Sequence, residues 1–424
     1  MSSNKPAVKV SEPARTFIRI RRMVHPYEVD HTDTYEKNDY LPKLHSGVFN
    51  VVSTSENNKD QPNLPSEQVC SAPRQILKVE NPVDQSISKF YADDIFNSAV
   101  ARKDKGYASQ KIIFDSIGTK LLDDVINGYN TSLMCLGPEG SGKTYTLFGP
   151  KMIDGSSHLP PSRDTGLIPR FCHHLYQRLS KSATCGKDSK NESIDSVVSY
   201  LVEFSAYEVR SEKIYDLLNP ADYDVQVPCI LNEHPKIGVY IQNLVCMACE
   251  NEEQLSEVVE AARASLAMTS LFRGTLGTRD HVVYQFTITK KVDENMTSKN
   301  KLSEAKKNEG KAKEIANYDP TNIHGFIAHA TFIDLAPCCE RSLALLDARS
   351  DQLRSQLKMH TSYNSMLKCI DILSEHTQKR RDVPYHTSTL TSLFKKHAGP
   401  LGGDNRSYVL GCCGKFIRNI FFGL

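Results

Sequence analysis

The sequence predicts a single α/β domain in which a central, mostly parallel sheet carries helices on both faces. Three observations predict it. Short apolar runs of strand character alternate along the chain with amphipathic helical segments, the pattern of layered α/β folds. A glycine-rich octad, Gly137-Pro138-Glu139-Gly140-Ser141-Gly142-Lys143-Thr144, follows the apolar run Thr131–Leu136 and opens a helical stretch at Lys143; a ligand loop at a strand's C-terminal end is where open α/β sheets bind. The chain has 424 residues, of which 39% are hydrophobic, enough for one large core or for two or three average domains.

The elements follow in order. Residues 1–15 are polar and expected to be disordered, and Thr16-Phe17-Ile18-Arg19-Ile20-Arg21 alternates as a strand does, with Arg19 and Arg21 on one face. His25 to Pro73 is rich in Asn, Asp, Ser and Pro, with brief apolar patches such as Gly47–Val52, and reads as loops and small edge strands. Ile76–Val79 is a short strand, and the segment Lys89–Phe96 leads towards Gln110–Ile126. There Ile112, Ile113, Ile117, Leu121, Leu122, Val125 and Ile126 recur at helical spacing and Asn127-Gly128 supplies a stop. Ile168–Leu179 is a helix containing Cys172, His173 and His174, whose adjacent positions diverge by about 100°, so that the histidines are expected to face solvent rather than a shared ligand. Val197–Val209, Ile214–Leu218, Gly238–Ile241 and Val282–Thr289 have strand character, and Asn251–Ser270 is a long helix with acidic residues in its first turn. Lys290–Tyr318 lacks apolar periodicity and reads as a solvated insertion (290–318). Phe326–Leu335 is a buried strand carrying Asp334 at its end, Leu343–Leu373 and Thr387–Lys396 are helical, and Tyr408–Cys413 is the last strand. Residues 415–424 form a short apolar tail.

Composition narrows the function. With 52 basic and 50 acidic residues the net charge is +2, so bulk charge gives nucleic-acid binding no support. No run approaches the roughly 18 apolar residues of a membrane span, and Met1–Glu12 has no apolar signal core, which points to the cytoplasm or nucleus. Twelve cysteines in such a chain are expected to stay reduced. Cys246 and Cys249 have metal-like spacing without a second pair, and Cys338-Cys339 and Cys412-Cys413 would point to opposite faces of an extended chain.

The octad fits G-x-x-x-x-G-K-[ST] at every fixed position. Its glycines let successive amides turn towards phosphate oxygens, Lys143 adds a mobile cation for the β- and γ-phosphates, and Thr144 offers a hydroxyl to Mg²⁺. Asp334, at the end of a buried strand, stands where a carboxylate reaches the metal's shell.

In this order the motifs resemble the kinesin motor domain over roughly residues 16–414. Phe90–Phe96 looks like the family's F-x-x-D-x-V-F, Gly128-Tyr129-Asn130 like G-Y-N-G, and Gly166-Leu167-Ile168-Pro169-Arg170 like G-I-I-P-R. Glu208–Leu218, reading E-V-R-S-E-K-I-Y-D-L-L, is similar to E-I-Y-N-E-K-I-Y-D-L-L, and Val383-Pro384-Tyr385 with Ser388, Leu390 and Thr391 is similar to V-P-Y-R-x-S-K-L-T. Small GTPases, helicases and nucleotide kinases share the loop and lack this series.

The resemblance implies a P-loop ATPase of the kinesin-motor type that binds ATP with Mg²⁺ and moves on microtubules in the cytoskeleton. It places Gly137, Pro138, Glu139, Gly140, Ser141, Gly142, Lys143, Thr144, Tyr145, Arg19 and Arg21 around the nucleotide, Thr144, Thr278 and Asp334 around the metal, and Arg279 with Glu340 as the pair that closes the two switches. Lys379, Arg380, Arg381, Lys395 and Lys396 would face the microtubule's acidic surface. The chain departs from the family pattern in three places. The first switch, N-x-x-S-S-R-S-H in the family, is matched by Gly274, Gly277, Thr278, Arg279, Asp280 and His281. The second, D-L-A-G-S-E-R, becomes Asp334-Leu335-Ala336-Pro337-Cys338-Cys339-Glu340-Arg341, one residue longer and without its glycine. The opening R-x-R-P becomes Arg19-Ile20-Arg21-Arg22, losing the proline beside the base. Slow hydrolysis is therefore expected, or static binding by a non-motile scaffold. No heptad-rich segment suggests a coiled coil, so a monomer is expected.

Overall fold

In the computed structural model, described at residues 15–21, 49–52, 75–80, 87–138, 140–150, 161–184, 197–219, 227–234, 238–272, 280–293, 325–337, 351–374, 383–393, 395 and 405–414, the expected alternation builds a layered α/β architecture. The strands are β1 (Arg15–Arg21), β2 (Phe49–Val52), β3 (Gln75–Glu80), β4 (Ile87–Ala92), β5 (Asp94–Ser98), β6 (Asn130–Leu136) and β7 (Val197–Arg210), then β8 (Lys213–Asp216), β9 (Ile230–His234), β10 (Gly238–Gln242), β11 (Met247–Cys249), β12 (His281–Asp293), β13 (Phe326–Asp334) and β14 (Asn405–Gly414). The main sheet runs β11-β7-β12-β13-β6-β14-β1-β5, with β8 hairpinned onto β7. β13, β6, β14, β1 and β5 are mutually parallel, whereas β12, β7, β8 and β11 join by antiparallel pairings. The parallel half carries the ligand loop, as crossover connections demand.

The sheet is buried on both faces because its strands alternate. On β6, Leu133 and Cys135 face one cluster, which they share with α2 (Thr119–Ile126), α4 (Leu167–Thr184) and α5 (Glu252–Phe272). Met134 and Leu136 face the other, where Tyr363, Met366 and Cys369 of the helix Asp351–Ser374 meet Leu390 and Leu393 of the helix Thr389–Leu393. On the first face Phe171, Phe204, Phe286 and Phe332 interlock with centroids 4.9 to 5.7 Å apart. All four rings are buried, each contributing roughly 1.5–3 kcal/mol of hydrophobic stabilisation.

Several expectations need correction. Gln110–Ile126 is not one uniform α-helix: a π-turn over Phe114–Gly118 separates α1 (Gln110–Ile113) from α2. A Cβ on Gly118 would stand 2.3 Å from the Phe114 ring, so the wide turn is built around that contact. Lys290 to Asp293 do not begin the insertion; they extend β12 along Tyr200 to Val197 of β7. The rest of the insertion, residues 1–14 and 415–424, and Leu343 to Ser350 lie outside the described residues, while Arg15, expected in the disordered N-terminal segment, begins β1. The histidines of α4 are half-buried rather than solvent-facing. His173 Nδ1 pairs with Glu252 Oε1 at 2.7 Å, and the His174 ring stacks on Phe114. The short strands β9 and β11 carry too little alternation to stand out in the sequence.

Candidate functional site

The glycine-rich loop leaves the C-terminal end of β6 and enters the short helix α3 (Lys143–Phe148). Two glycines are required by its path. Gly137 has φ +143°, and a Cβ there would stand 2.2 Å from the Cys412 carbonyl oxygen; Gly142 has φ +94° and faces the Arg21 side chain. Only a residue without a Cβ fits both the close approach and the left-handed turn. Lys143 is buried and its Nζ donates to the carbonyls of Gly137 and Pro138 at 2.7 and 2.9 Å, so the cation lies inside the loop. Ser141 Oγ is also buried and has no partner among the described residues.

Of the three residues assigned to the metal side, the structure describes two, Thr144 and Asp334, and brings them together. The Thr144 hydroxyl donates to Asp334 Oδ2, joining α3 to the end of β13 across 190 residues of chain. Asp334 is 2% exposed, and its Oδ1 has no hydrogen-bond partner among the described residues. Burial raises the pKa of this carboxyl, while the Lys143 charge and the Thr144 hydrogen bond oppose the shift. A buried carboxylate oxygen without a partner, next to a hydroxyl at the mouth of a phosphate-type loop, is a hard-oxygen donor set suited to Mg²⁺. Thr278, Arg279, Glu340 and Glu139 lie outside the described residues, as do Lys379, Arg380, Arg381 and Lys396.

Arg19 requires a correction. Expected against the nucleotide, it is 2% exposed and supports the loop from beneath. Its guanidinium donates to Ser98 Oγ (3.2 Å), Gln110 Oε1 (3.0 Å) and Thr146 Oγ1 (2.6 Å). Those acceptors are tied in turn: Ser98 to the Ala108 carbonyl, Gln110 to the Tyr145 carbonyl and Thr146 to the Gly142 carbonyl. Burial lowers the Arg19 pKa, with the neighbouring Cys412 thiol opposing, yet a guanidinium stays charged. Arg21 is the arginine that reaches the site, its guanidinium 4.4 Å from the centroid of the Tyr145 ring beside Gly142. Nothing local in the sequence could reveal the Arg19 strut, because its partners lie 79, 91 and 127 residues away.

Two further placements bear on the site. His281, matched only as the end of the first switch, is buried with its Nδ1 accepting from the Ala336 amide at 3.2 Å. Just beyond the helix Thr389–Leu393, Lys395 pairs with Glu233 of β9 at 2.6 Å, and the Thr389 amide and hydroxyl are held by Glu212.

The profile of the kinesin motor domain family matches residues 50–420. Among curated proteins, the chain is 27% identical over 390 residues to Kinesin-like protein KIF14 of Mus musculus, covering 91% of this chain and 20% of that protein. It is 26% identical over 319 residues to Kinesin-like protein unc-104 of Caenorhabditis elegans, covering 73% of this chain and 17% of that protein. The chain thus spans about a fifth or less of the length of these relatives. Among solved structures, a KIF14 dimer with AMP-PNP in complex with a microtubule superposes with a TM-score of 0.65 at 23% identity, covering 96% of this chain and 89% of that one. A structure of a fast kinesin gives 0.63 at 20% identity, covering 95% and 86%. At these identities the structural likeness speaks for the fold.

Proposed function

This chain belongs to the kinesin motor domain family, and from that premise we propose that it is a microtubule-binding ATPase whose turnover is slow. The observation that carries nucleotide binding is the hydrogen-bonded pair of Thr144 and the buried Asp334 at the loop mouth, with no hydrogen-bond partner on Asp334 Oδ1 among the described residues. Lys143 holds the β- and γ-phosphates, Arg21 and Tyr145 flank the base, and Thr144 and Asp334 hold Mg²⁺, joined by Thr278 from the first switch. Mg²⁺, when bound there, would supply positive charge against the negative charge that develops in phosphoryl transfer.

Slow turnover rests on the start of the second switch. The Leu335 amide donates to the Cys135 carbonyl (3.3 Å), the Ala336 amide donates to His281, and Pro337 has no N–H. Residues 335 to 337 therefore have no amide free for a γ-phosphate, and any such donor comes from Cys338 or later. Arg279 and Glu340 supply the closing charge pair.

Lys379, Arg380, Arg381, Lys395 and Lys396 make this part of the sequence basic, which suits the acidic microtubule surface. The intramolecular bond of Lys395 to Glu233 reduces what it contributes. The relatives' microtubule complexes support this assignment. The deciding experiment is ATP turnover with and without microtubules. Stimulated hydrolysis below about 1 per second supports the reading, whereas rates of about 1 to 100 per second show a fully competent switch. A second reading, a static kinesin-derived scaffold, is favoured by the same committed amides; nucleotide-dependent microtubule binding without any turnover would establish it.

A further inference from the structure

The segment that follows Asp334 is held from two sides. β6 takes the Leu335 amide through the Cys135 carbonyl, and the His281 ring takes the Ala336 amide at 3.2 Å. Leu335 and Ala336 are 1% and 2% exposed, Pro337 is buried as well, and His281 is 1% exposed. Water therefore does not compete for these bonds.

His281 sits at the first position of β12, directly before Val282, which pairs with Asp334. Its Nδ1 accepts, so the neutral ring carries its proton on Nε2. The other side of the buried ring faces the backbone of Met359 in the helix Asp351–Ser374. One side chain thus touches the strand that ends the first switch, the backbone that starts the second, and the helix packed on that face of the sheet.

We propose that His281 is a positioning residue of the nucleotide site: it latches the Ala336 amide and so fixes, against the start of β12, the backbone that leaves Asp334. The proposal rests on the ATP-binding reading of the site. Pro337 has no N–H, so the Ala336 amide is the last backbone donor of the described segment, and the latch holds it.

The test compares three substitutions in the full chain. His281→Asn keeps a carbonyl oxygen near the Nδ1 position, His281→Gln moves it out to the Nε2 position, and His281→Phe fills the volume without an acceptor. Hydrogen exchange resolved to the Ala336 amide, without nucleotide, should accelerate about tenfold in the Gln and Phe variants and stay near wild type in Asn. The ratio of AMP-PNP to ADP affinity should shift at least about threefold in Gln, with ADP affinity unchanged and the ratio restored in Asn. Should Phe fail to fold, the Asn and Gln pair still decides. Equal exchange in Asn and Gln overturns the latch. Faster exchange in Gln with an unchanged affinity ratio overturns its role in the nucleotide site and leaves a bond of structural value only. A wild type that binds neither nucleotide sinks the ATP reading instead, while the exchange contrast still reports on the latch.

Discussion

The glycine-rich loop and the segment after Asp334 leave neighbouring strands, β6 and β13, and the hydrogen bonds around them are spent differently. Beneath the loop, Arg19, Ser98, Gln110 and Thr146 form a connected set that ends on backbone carbonyls of Ala108, Tyr145 and Gly142. It braces the loop and leaves its phosphate-facing side open. After Asp334 the bonds run the other way: both available amides are committed to Cys135 and His281, and the third residue is a proline. On the proposed reading, the chain has kept what holds a nucleotide and altered what senses its γ-phosphate. Holding and sensing are separable, and substitutions on the two sides should fail differently.

The largest effect is expected at Lys143. Lys143→Ala removes the only side-chain cation that the structure places inside the loop among the described residues, and it should reduce ATP affinity at least about 100-fold, since a charge-assisted bond to each phosphate is lost. Thermal melting without nucleotide should change little, because the carbonyls of Gly137 and Pro138 can be taken up by water. Wild-type ATP affinity in the variant would show that the loop does not hold the phosphates.

Next comes Arg19. Arg19→Ala opens a cavity and strands three buried acceptors, at a cost of about 3 kcal/mol in unfolding free energy, measured by denaturant. Nucleotide affinity should fall less than in Lys143→Ala, because Arg19 acts through α3 and not on the ligand. The reverse ranking would return Arg19 to the nucleotide's own contact set.

A third contrast is pH dependence. Burial lowers the His281 pKa from 6.5 to about 4, so between these values the unfolded chain binds a proton that the folded chain does not. Its contribution to stability is complete above pH 6.5 and declines as pH falls towards 4, by about 2 kcal/mol at pH 5. Asp334, with a raised pKa, works with the opposite sign and in both proteins alike. The difference between wild type and His281→Asn in denaturant unfolding at pH 7 and pH 5 isolates the histidine; equal slopes would mean that the ring titrates normally.

The fold was legible because periodicity is local: Thr131–Leu136, Phe326–Leu335 and the helical spacing around Ile117 and Leu121 mark elements the structure contains. The octad and Asp334 were legible because their chemistry fixes residue type and spacing. Arg19 was misplaced because its partners are distant in sequence, and the π-turn because a single ring contact, Phe114 against Gly118, leaves the helical spacing unchanged. The role of His281 was hidden for a third reason. It depends on which backbone amide lies opposite the start of β12, a matter of register between strands about 50 residues apart, and no side-chain pattern records register.

The smallest effect expected is also the one that separates motor from scaffold. Pro337 lies where the family has a glycine with a free amide, and the inserted residue lengthens the segment before Glu340. Replacing Pro337-Cys338-Cys339 with Gly-Ser restores both the length and a donor immediately after the latched Ala336 amide. One hydrogen bond to a charged group contributes about 1.5 to 3 kcal/mol, roughly a 10- to 150-fold effect if realised wholly in the transition state. The gain in microtubule-stimulated turnover should fall near the lower bound, about tenfold, since the native segment still contains two non-proline residues, Cys338 and Cys339, after Pro337. ATP affinity should stay the same, because the loop floor is untouched. No gain from a wild type that already turns over at about 1 to 100 per second would show that the lengthened switch places a cysteine amide correctly and that the proline costs nothing. No gain from a wild type that never turns over would locate the block elsewhere, in the first switch, where Gly277 and Asp280 stand in place of two serines, and would favour the static scaffold.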